Sequence, residues 1–255
     1  MSIDKVAAQL YTLRDLCKTP ADIAETLKKV RQIGYPAVQV SGIGPIDPKE
    51  LRKLCDDLGL VICASHTGYD DLMNKLTEVI AKHQVWGCTQ IAVPVTPDKM
   101  RNQSGYVQFA REMSKVGQRL AKEGITLSYH NHSFEFQKYG GKTGLELIYD
   151  NSDPQYFQGE IDTYWVQHGG GDPAGWCRRL KNRLPLVHLK DYGIVDNKPT
   201  YMEIGEGNLN WAAILPACRD AGTQWYPVEQ DVCPGDPIES MKISFENLKR
   251  LFKQA

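Results

Sequence analysis

One punctuation mark recurs along the chain. An amphipathic helical stretch runs into a glycine, and a short apolar run follows at once; it happens at Gly34, Gly59, Gly87, Gly124 and Gly222. A glycine just past a helix end is the expected left-handed cap, because it has no Cβ to clash there. The helical stretches are one-faced. Phe109, Met113, Val116 and Leu120 fall at i, i+4, i+7 and i+11, Leu51, Leu54 and Leu58 at i, i+3 and i+7, and Ile238, Met241, Phe245, Leu248 and Phe252 repeat the pattern at the end. The apolar runs read as strands over 6–10, 37–41, 60–65, 90–93, 126–130, 158–162, 186–190 and 225–230.

Strands alternating with helices imply βαβ units and a parallel sheet. Eight units in 255 residues is about 32 residues each, the size of a closed (β/α)8 barrel. A doubly wound sheet would need a phosphate-binding glycine loop after the first strand, and Gln9-Leu10-Tyr11-Thr12-Leu13 offers none. The Gly169-Gly170-Gly171 run follows a strand but does not match G-x-G-x-x-G. No linker or low-complexity segment divides the chain, so the expectation is α/β, one TIM-barrel domain over 1–255.

Composition narrows the function. Thirty Lys plus Arg against 31 Asp plus Glu give a net charge of −1, without the basic surplus of a nucleic-acid binder. No apolar run reaches about 18 residues, so no membrane span is expected, and the first fifteen residues have no signal-type apolar core. Seven cysteines, an odd number with no CxxC, read as reduced and mostly packed in a cytoplasmic protein.

Strand parity then points at a site. In a barrel, side chains alternate between the helix layer and the axis, and chemistry sits at the carboxyl ends. In Leu186-Val187-His188-Leu189-Lys190, Val187 and Leu189 suit the helix layer, so His188 and Lys190 face inward. The same reasoning turns Glu229, Asp162 and His130 inward, with Gln9 and Tyr11 from the first strand and Gln39 and Ser41 from the second. His66 joins them at the end of the third. Taken singly, an inward histidine is more often a hydrogen-bonded core residue than a ligand. Several carboxylates and imidazoles converging on one point repel or desolvate badly without a cation, so a bound divalent metal is the economical reading. His83 and His168 read as surface or loop residues.

These residues carry a resemblance. Tyr129-His130-Asn131-His132-Ser133-Phe134-Glu135-Phe136, Ile161-Asp162-Thr163-Tyr164-Trp165, Val187-His188-Leu189-Lys190-Asp191, Gly205-Glu206-Gly207 and Val228-Glu229-Gln230-Asp231, in this order, resemble the sugar phosphate isomerase/epimerase proteins with the xylose-isomerase-like TIM barrel. The match is to the subgroup with a Tyr-His-Asn-His-x-x-Glu-Phe motif. The resemblance implies one divalent metal held by Glu, Asp, His and Glu from successive strands. Asp162, His188 and Glu229 carry over. Many relatives have the first Glu where this chain has His130, and here the carboxylate comes five residues later. Glu135 is therefore assigned as the first ligand, reaching back. Parity alone favours His130, and Glu135 then becomes a supporting residue or a base. The family's His three residues after the aspartate is Trp165 here.

The chemistry implied is proton abstraction next to a metal-bound carbonyl of a small sugar, giving an enediolate, with Glu135 and Glu229 as the acid/base pair. Gln9, Tyr11, His66, His130, Trp165 and Lys190 are assigned to the substrate. The alternative for Lys190 is an ion pair with Asp191 or Glu206. Glu203 and Glu206 lie in a long loop after the seventh strand, placed to close over the pocket. Oxygen and nitrogen ligands without sulfur favour Mn²⁺, with Mg²⁺, Co²⁺ or Zn²⁺ as alternatives. The first reading is an isomerase or epimerase. The second is a lyase or dehydratase on a keto-sugar, keto-glycoside or keto-inositol, kept open by Trp165. The third is a sugar-binding barrel without turnover. Partners other than a small sugar are not expected, apart from further copies of the chain in a homo-oligomer.

Overall fold

All eight expected strands form, and they pair in parallel in chain order. The computed structural model describes residues 2–254. The barrel strands are Val6–Gln9, Ala37–Val40, Val61–His66, Gln90–Val93, Thr126–His130, Gln158–Asp162, Leu186–His188 and Tyr226–Val228. The last strand pairs with the first, Val6 opposite Tyr226. The seventh and eighth meet through bridges at Leu186–Trp225 and Leu189–Val228. The fold is a (β/α)8 barrel, as the alternation predicts.

Two packing layers follow from strand parity. Inside the barrel, Ala7, Ala37, Cys63, Ala64, Ala92 and Leu186 fill the axis with small side chains. Between barrel and helices lies the larger core, with Val38, Ile91, Leu127, Tyr129, Ile161, Val187 and Val228 from the strands. The helix Gln103–Ala121 buries the predicted stripe of Phe109, Met113, Val116 and Leu120 against it. Each such side chain contributes about 1.5–3 kcal/mol of burial. Gly34, Gly59, Gly87 and Gly222 take the left-handed cap as expected. Gly124 differs: its helix ends on Lys122 in the right-handed region, and the left-handed residue comes two positions later.

Three expectations are corrected. The strands at residues 186–190 and 225–230 are shorter, ending at His188 and Val228, so Lys190 and Glu229 leave the barrel rim on irregular backbone. The long loop after the seventh strand contains an antiparallel hairpin, Asp191–Val195 with Lys198–Met202. Its two-residue turn, Asp196-Asn197, has both φ positive, at 51° and 61°, the geometry that matches the twist of paired strands. His83 is buried, not at the surface. It packs from the helix Leu76–Trp86 onto the third strand, with Nε2 2.6 Å from Ser65 Oγ and Nδ1 2.7 Å from the Val79 carbonyl. His168 is exposed, as expected.

Candidate active site

At the carboxyl end of the strands lies a cavity of about 470 Å³, lined among others by Tyr11, His66, His130, Trp165, Lys190 and Glu229. A cleft of similar size at the opposite end of the barrel is lined by no carboxylate, imidazole or cation. The chemistry-bearing side chains therefore meet where barrel enzymes work.

Local structure aims each group. Asp162 ends the sixth strand and caps the next helix, its Oδ1 accepting the Trp165 N–H at 2.8 Å. A capping carboxylate keeps one oxygen for its helix, which leaves Oδ2 turned inward, 3.2 Å from His130 Nε2. His130 Nδ1 lies 3.2 Å from the Pro94 carbonyl. Carbonyl and carboxylate both only accept, so each ring nitrogen faces an acceptor, and Nε2, beside Asp162, is the nitrogen that would give up its proton to a cation. His188 stands between two carboxylates, with Nδ1 3.0 Å from Glu229 Oε2 and Nε2 3.4 Å from Glu160 Oε1. Donor atoms of His130, Asp162, His188 and Glu229 all lie within 4.8 Å of one another, and all four residues are buried.

That donor set suits a divalent ion: two imidazoles and two carboxylates, no thiolate, at the mouth of a cavity. The electrostatics agree. Burial disfavours charge on His188, but Glu160 and Glu229 outweigh it and push the imidazole up to about 10, so a cation already sits there at neutral pH. Burial likewise opposes charge on Asp162 and Glu229. Lys190 and the histidines outweigh it and hold both carboxyls below their usual range.

Lys190 is 1% exposed yet lines the cavity. Its Nζ lies 2.6 Å from Asp231, 2.9 Å from Glu229 and 3.4 Å from Asp162. Burial opposes its charge, but the three carboxylates hold it well above the ordinary lysine value. The alternative pairing with Asp191 or Glu206 does not form. Asp191 instead accepts from the backbone of Tyr192, Gly205, Gly207 and Leu209 and from the Trp211 indole, pinning the segment after the hairpin. Glu203 and Glu206 do not close over the pocket; they bind Ser240 and Asn247 on the helix Pro237–Gln254.

Of the sequence-assigned residues, Tyr11, His66, His130, Trp165, Lys190 and Glu229 line the cavity, while Gln9, Asp162 and His188 are fully buried and do not line it, Gln9 being bonded to Gln39 rather than open to a substrate. Glu135 stands apart. Its Oε1 accepts from the Tyr129 hydroxyl and its Oε2 from the His132 N–H at 2.9 Å. The Tyr129 ring faces the helix layer against Phe109 and Phe157. Glu135 follows it there, fully buried and not lining the cavity, with its carboxyl pushed up to about 7 by burial.

Sequence reasoning missed several residues. Glu160, fully buried, was legible by parity, because it sits two positions before Asp162 on the same strand. Asp231, two positions after Glu229, reaches the same lysine. His132 and Tyr201 also line the cavity; the Tyr201 hairpin gave no period-2 apolar signal to find it by.

Comparison with known proteins agrees with this architecture. Solved structures similar to the chain include a sugar phosphate isomerase/epimerase from Parabacteroides distasonis ATCC 8503, with TM-score 0.81, 22% identity, and coverage of 96% of this chain and 98% of that one. Another is an L-ribulose 3-epimerase, with TM-score 0.74, 16% identity, and coverage of 98% and 94%. At these identities they share the fold. Among curated proteins, the inosose dehydratase of Mesomycoplasma hyopneumoniae strain 7448 is 24% identical over 96% of this chain and 95% of its own length. The rhizopine catabolism protein MocC of Rhizobium meliloti is 22% identical over 90% and 81%. No described helix is long and apolar enough to cross a membrane. The model of the xylose isomerase-like TIM barrel family matches residues 27–251, and the chain belongs to that family.

Proposed function

We propose that this chain is a divalent-metal-dependent lyase that eliminates a β-oxygen substituent from a small polyhydroxy ketone, a keto-sugar or keto-cyclitol. His130, Asp162, His188 and Glu229 hold the ion, with Mn²⁺ the first candidate by donor type. Bound there, the ion supplies Lewis acidity to a substrate carbonyl and so acidifies the neighbouring C–H.

The observation that carries the choice of reaction is the place of Glu135. Moving a proton from one face of a carbon to the other needs an acid/base group on each face. The carboxylate expected opposite Glu229 is turned into the helix layer, held by Tyr129 and His132. Elimination needs no second carboxylate. The Glu229 carboxylate takes the proton from the α-carbon, and the C–H electron pair becomes the new double bond. The β C–O bond breaks with its own pair, and the leaving oxygen takes a proton from the Lys190 ammonium. Glu229 then returns its proton to Lys190 across their 2.9 Å contact. For a β-hydroxyl the sum is loss of water. The walls are aromatic: the Trp165 and Tyr201 ring centroids lie 5.9 Å apart, with the Lys190 ammonium 5.3 Å from the first and 5.5 Å from the second. The dehydratase named among the curated relatives supports the same reading.

An isomerase or epimerase is the second reading. It is favoured by His66, an imidazole on the cavity wall, and by the epimerase among the structural neighbours. The test is incubation of metal-reconstituted protein with a keto-inositol and with a ketohexose in D2O. A product lighter by one water supports the lyase. Deuterium uptake with no loss of water supports the epimerase. Binding without either change leaves the sugar-binding barrel.

A further inference from the structure

We propose that Glu160 is a positioning residue that sets which nitrogen carries the proton in both His188 and His66, and so prepares the metal site and the cavity wall together. The inference rests on the metal reading above and adds a residue outside the proposed ligand set.

Glu160 is fully buried and does not line the cavity. Its oxygens meet three groups from three other strands: His66 Nε2 at 2.7 Å, Gln39 Nε2 at 2.7 Å and His188 Nε2 at 3.4 Å. A carboxylate accepts and does not donate. The Gln39 amide must therefore turn its NH2 toward Glu160, which leaves Oε1 as an acceptor. Two groups use that acceptor, Gln9 Nε2 at 2.9 Å and His188 Nε2 at 2.7 Å. His188 Nε2 must then be the protonated nitrogen, and Nδ1 is the one offered to the ion beside Glu229 and Asp162.

The same rule acts on His66. Its Nε2 donates to Glu160, so its Nδ1 holds a lone pair and accepts from the Ser41 hydroxyl at 3.2 Å. The two rings stack, with centroids 5.3 Å apart and planes 14° from parallel. Both are thus fixed in orientation as well as tautomer. Without the carboxylate, the Gln39 amide is oriented by Gln9 alone, its NH2 loses its acceptor, and His66 Nε2 loses the group it donates to, so the hold on both tautomers weakens. Outer groups that fix a ligating histidine in this way are worth 10- to 100-fold in metal affinity.

The experiment uses the full chain and Zn²⁺ alone. Calorimetric titration of metal-free protein should show Glu160→Gln, which has one acceptor oxygen for three donors, binding Zn²⁺ about 10- to 100-fold more weakly than wild type. A variant that binds with wild-type affinity overturns the inference while the metal reading stands. A wild-type chain that takes up no Zn²⁺ removes both. Imidazole ¹⁵N spectra of the Zn²⁺-loaded wild type decide the matter even if the variant does not fold. The expected result is a protonated Nε2 on both His188 and His66. A protonated Nδ1 on either ring refutes the assignment.

Discussion

The imidazole of His188 meets the carboxylate of Glu229 at 3.0 Å, Nδ1 to Oε2. It is the nitrogen that must lose its proton for a cation to bind between His188 and Asp162. With the ring pushed up to about 10 by Glu160 and Glu229 against the effect of burial, the metal-free site carries that proton at pH 8. Binding a divalent ion should therefore release about one proton per ion. Calorimetry in two buffers of different ionisation enthalpy measures it, and apparent affinity should rise with pH up to the His188 value. Binding with no proton release would show that His188 is not a ligand. Stability of the metal-free chain runs the other way. A raised histidine contributes fully below its ordinary value near 6.5, and that contribution fades as pH rises through about 10.

Glu135 ties the turn after the fifth strand to that strand, accepting from the Tyr129 hydroxyl and the His132 N–H. Removing its carboxyl leaves the Tyr129 hydroxyl and the His132 N–H unpaired in the interior, at about 1–3 kcal/mol each. Glu135→Ala should lower unfolding free energy by roughly 2–6 kcal/mol in urea titrations. The milder Glu135→Gln keeps one acceptor and should keep kcat within about threefold. His130→Ala, by contrast, should lose the ion. A Glu135→Gln variant that folds, binds metal and is inactive would return Glu135 to the chemistry.

Much of this site could be read in the sequence because strand period is rigid. Read strand by strand, the period turns His188, Asp162 and His130 inward at the same rim, and Glu229, one residue past its strand, converges with them. Glu160 obeys the same parity, two positions before Asp162 on the same strand, but it lies one layer deeper than the strand ends where the site was sought. Glu135 could not be placed by parity at all. It follows the strand on a 3-10 turn, Phe134–Phe136, where side-chain direction depends on the partners found. Its partner is the hydroxyl of Tyr129, an outward residue whose polar tip is invisible to an apolar pattern. His83 was misread in the same way. A histidine on the inward stripe of a helix is indistinguishable by composition from one on the outward face until Ser65 is seen beneath it.

That buried His83 gives the protein an acid-sensitive point outside the proposed metal site. Its Nδ1–H donates to the Val79 carbonyl, so Nε2 accepts from Ser65. Burial, the largest effect, pulls its pKa down to about 4 from 6.5, helped by Lys82. A depressed value means stability that is whole above 6.5 and lost as pH falls toward 4, because the unfolded chain takes the proton first. The slope is about 1.4 kcal/mol per pH unit, roughly 3 kcal/mol across the window. Urea midpoints at several pH values should show this fall in wild type and a shallower one in His83→Gln. Parallel curves for the two would place the acid sensitivity elsewhere.

Lys190 separates catalysis from metal binding, because its charge acts on the two in opposite directions. It pairs with Asp162 and Glu229, two of the proposed metal ligands, and in the proposed elimination it is the acid for the leaving oxygen. An ammonium beside a dication repels it, so Lys190→Met should bind the ion more tightly than wild type. The same variant should lose about 10²–10⁴-fold in kcat, the usual worth of a placed acid or base. A residue that merely props the pocket open would lower both quantities together, through loss of packing. Lys190→Arg keeps the charge but cannot give up a proton at working pH; it should stay slow while restoring wild-type metal affinity. The pair of measurements, an isotherm and a turnover number for each variant, therefore tests the acid role directly. A Lys190→Met protein with tighter metal binding and unchanged turnover would leave Asp231 or water as the donor to the departing oxygen.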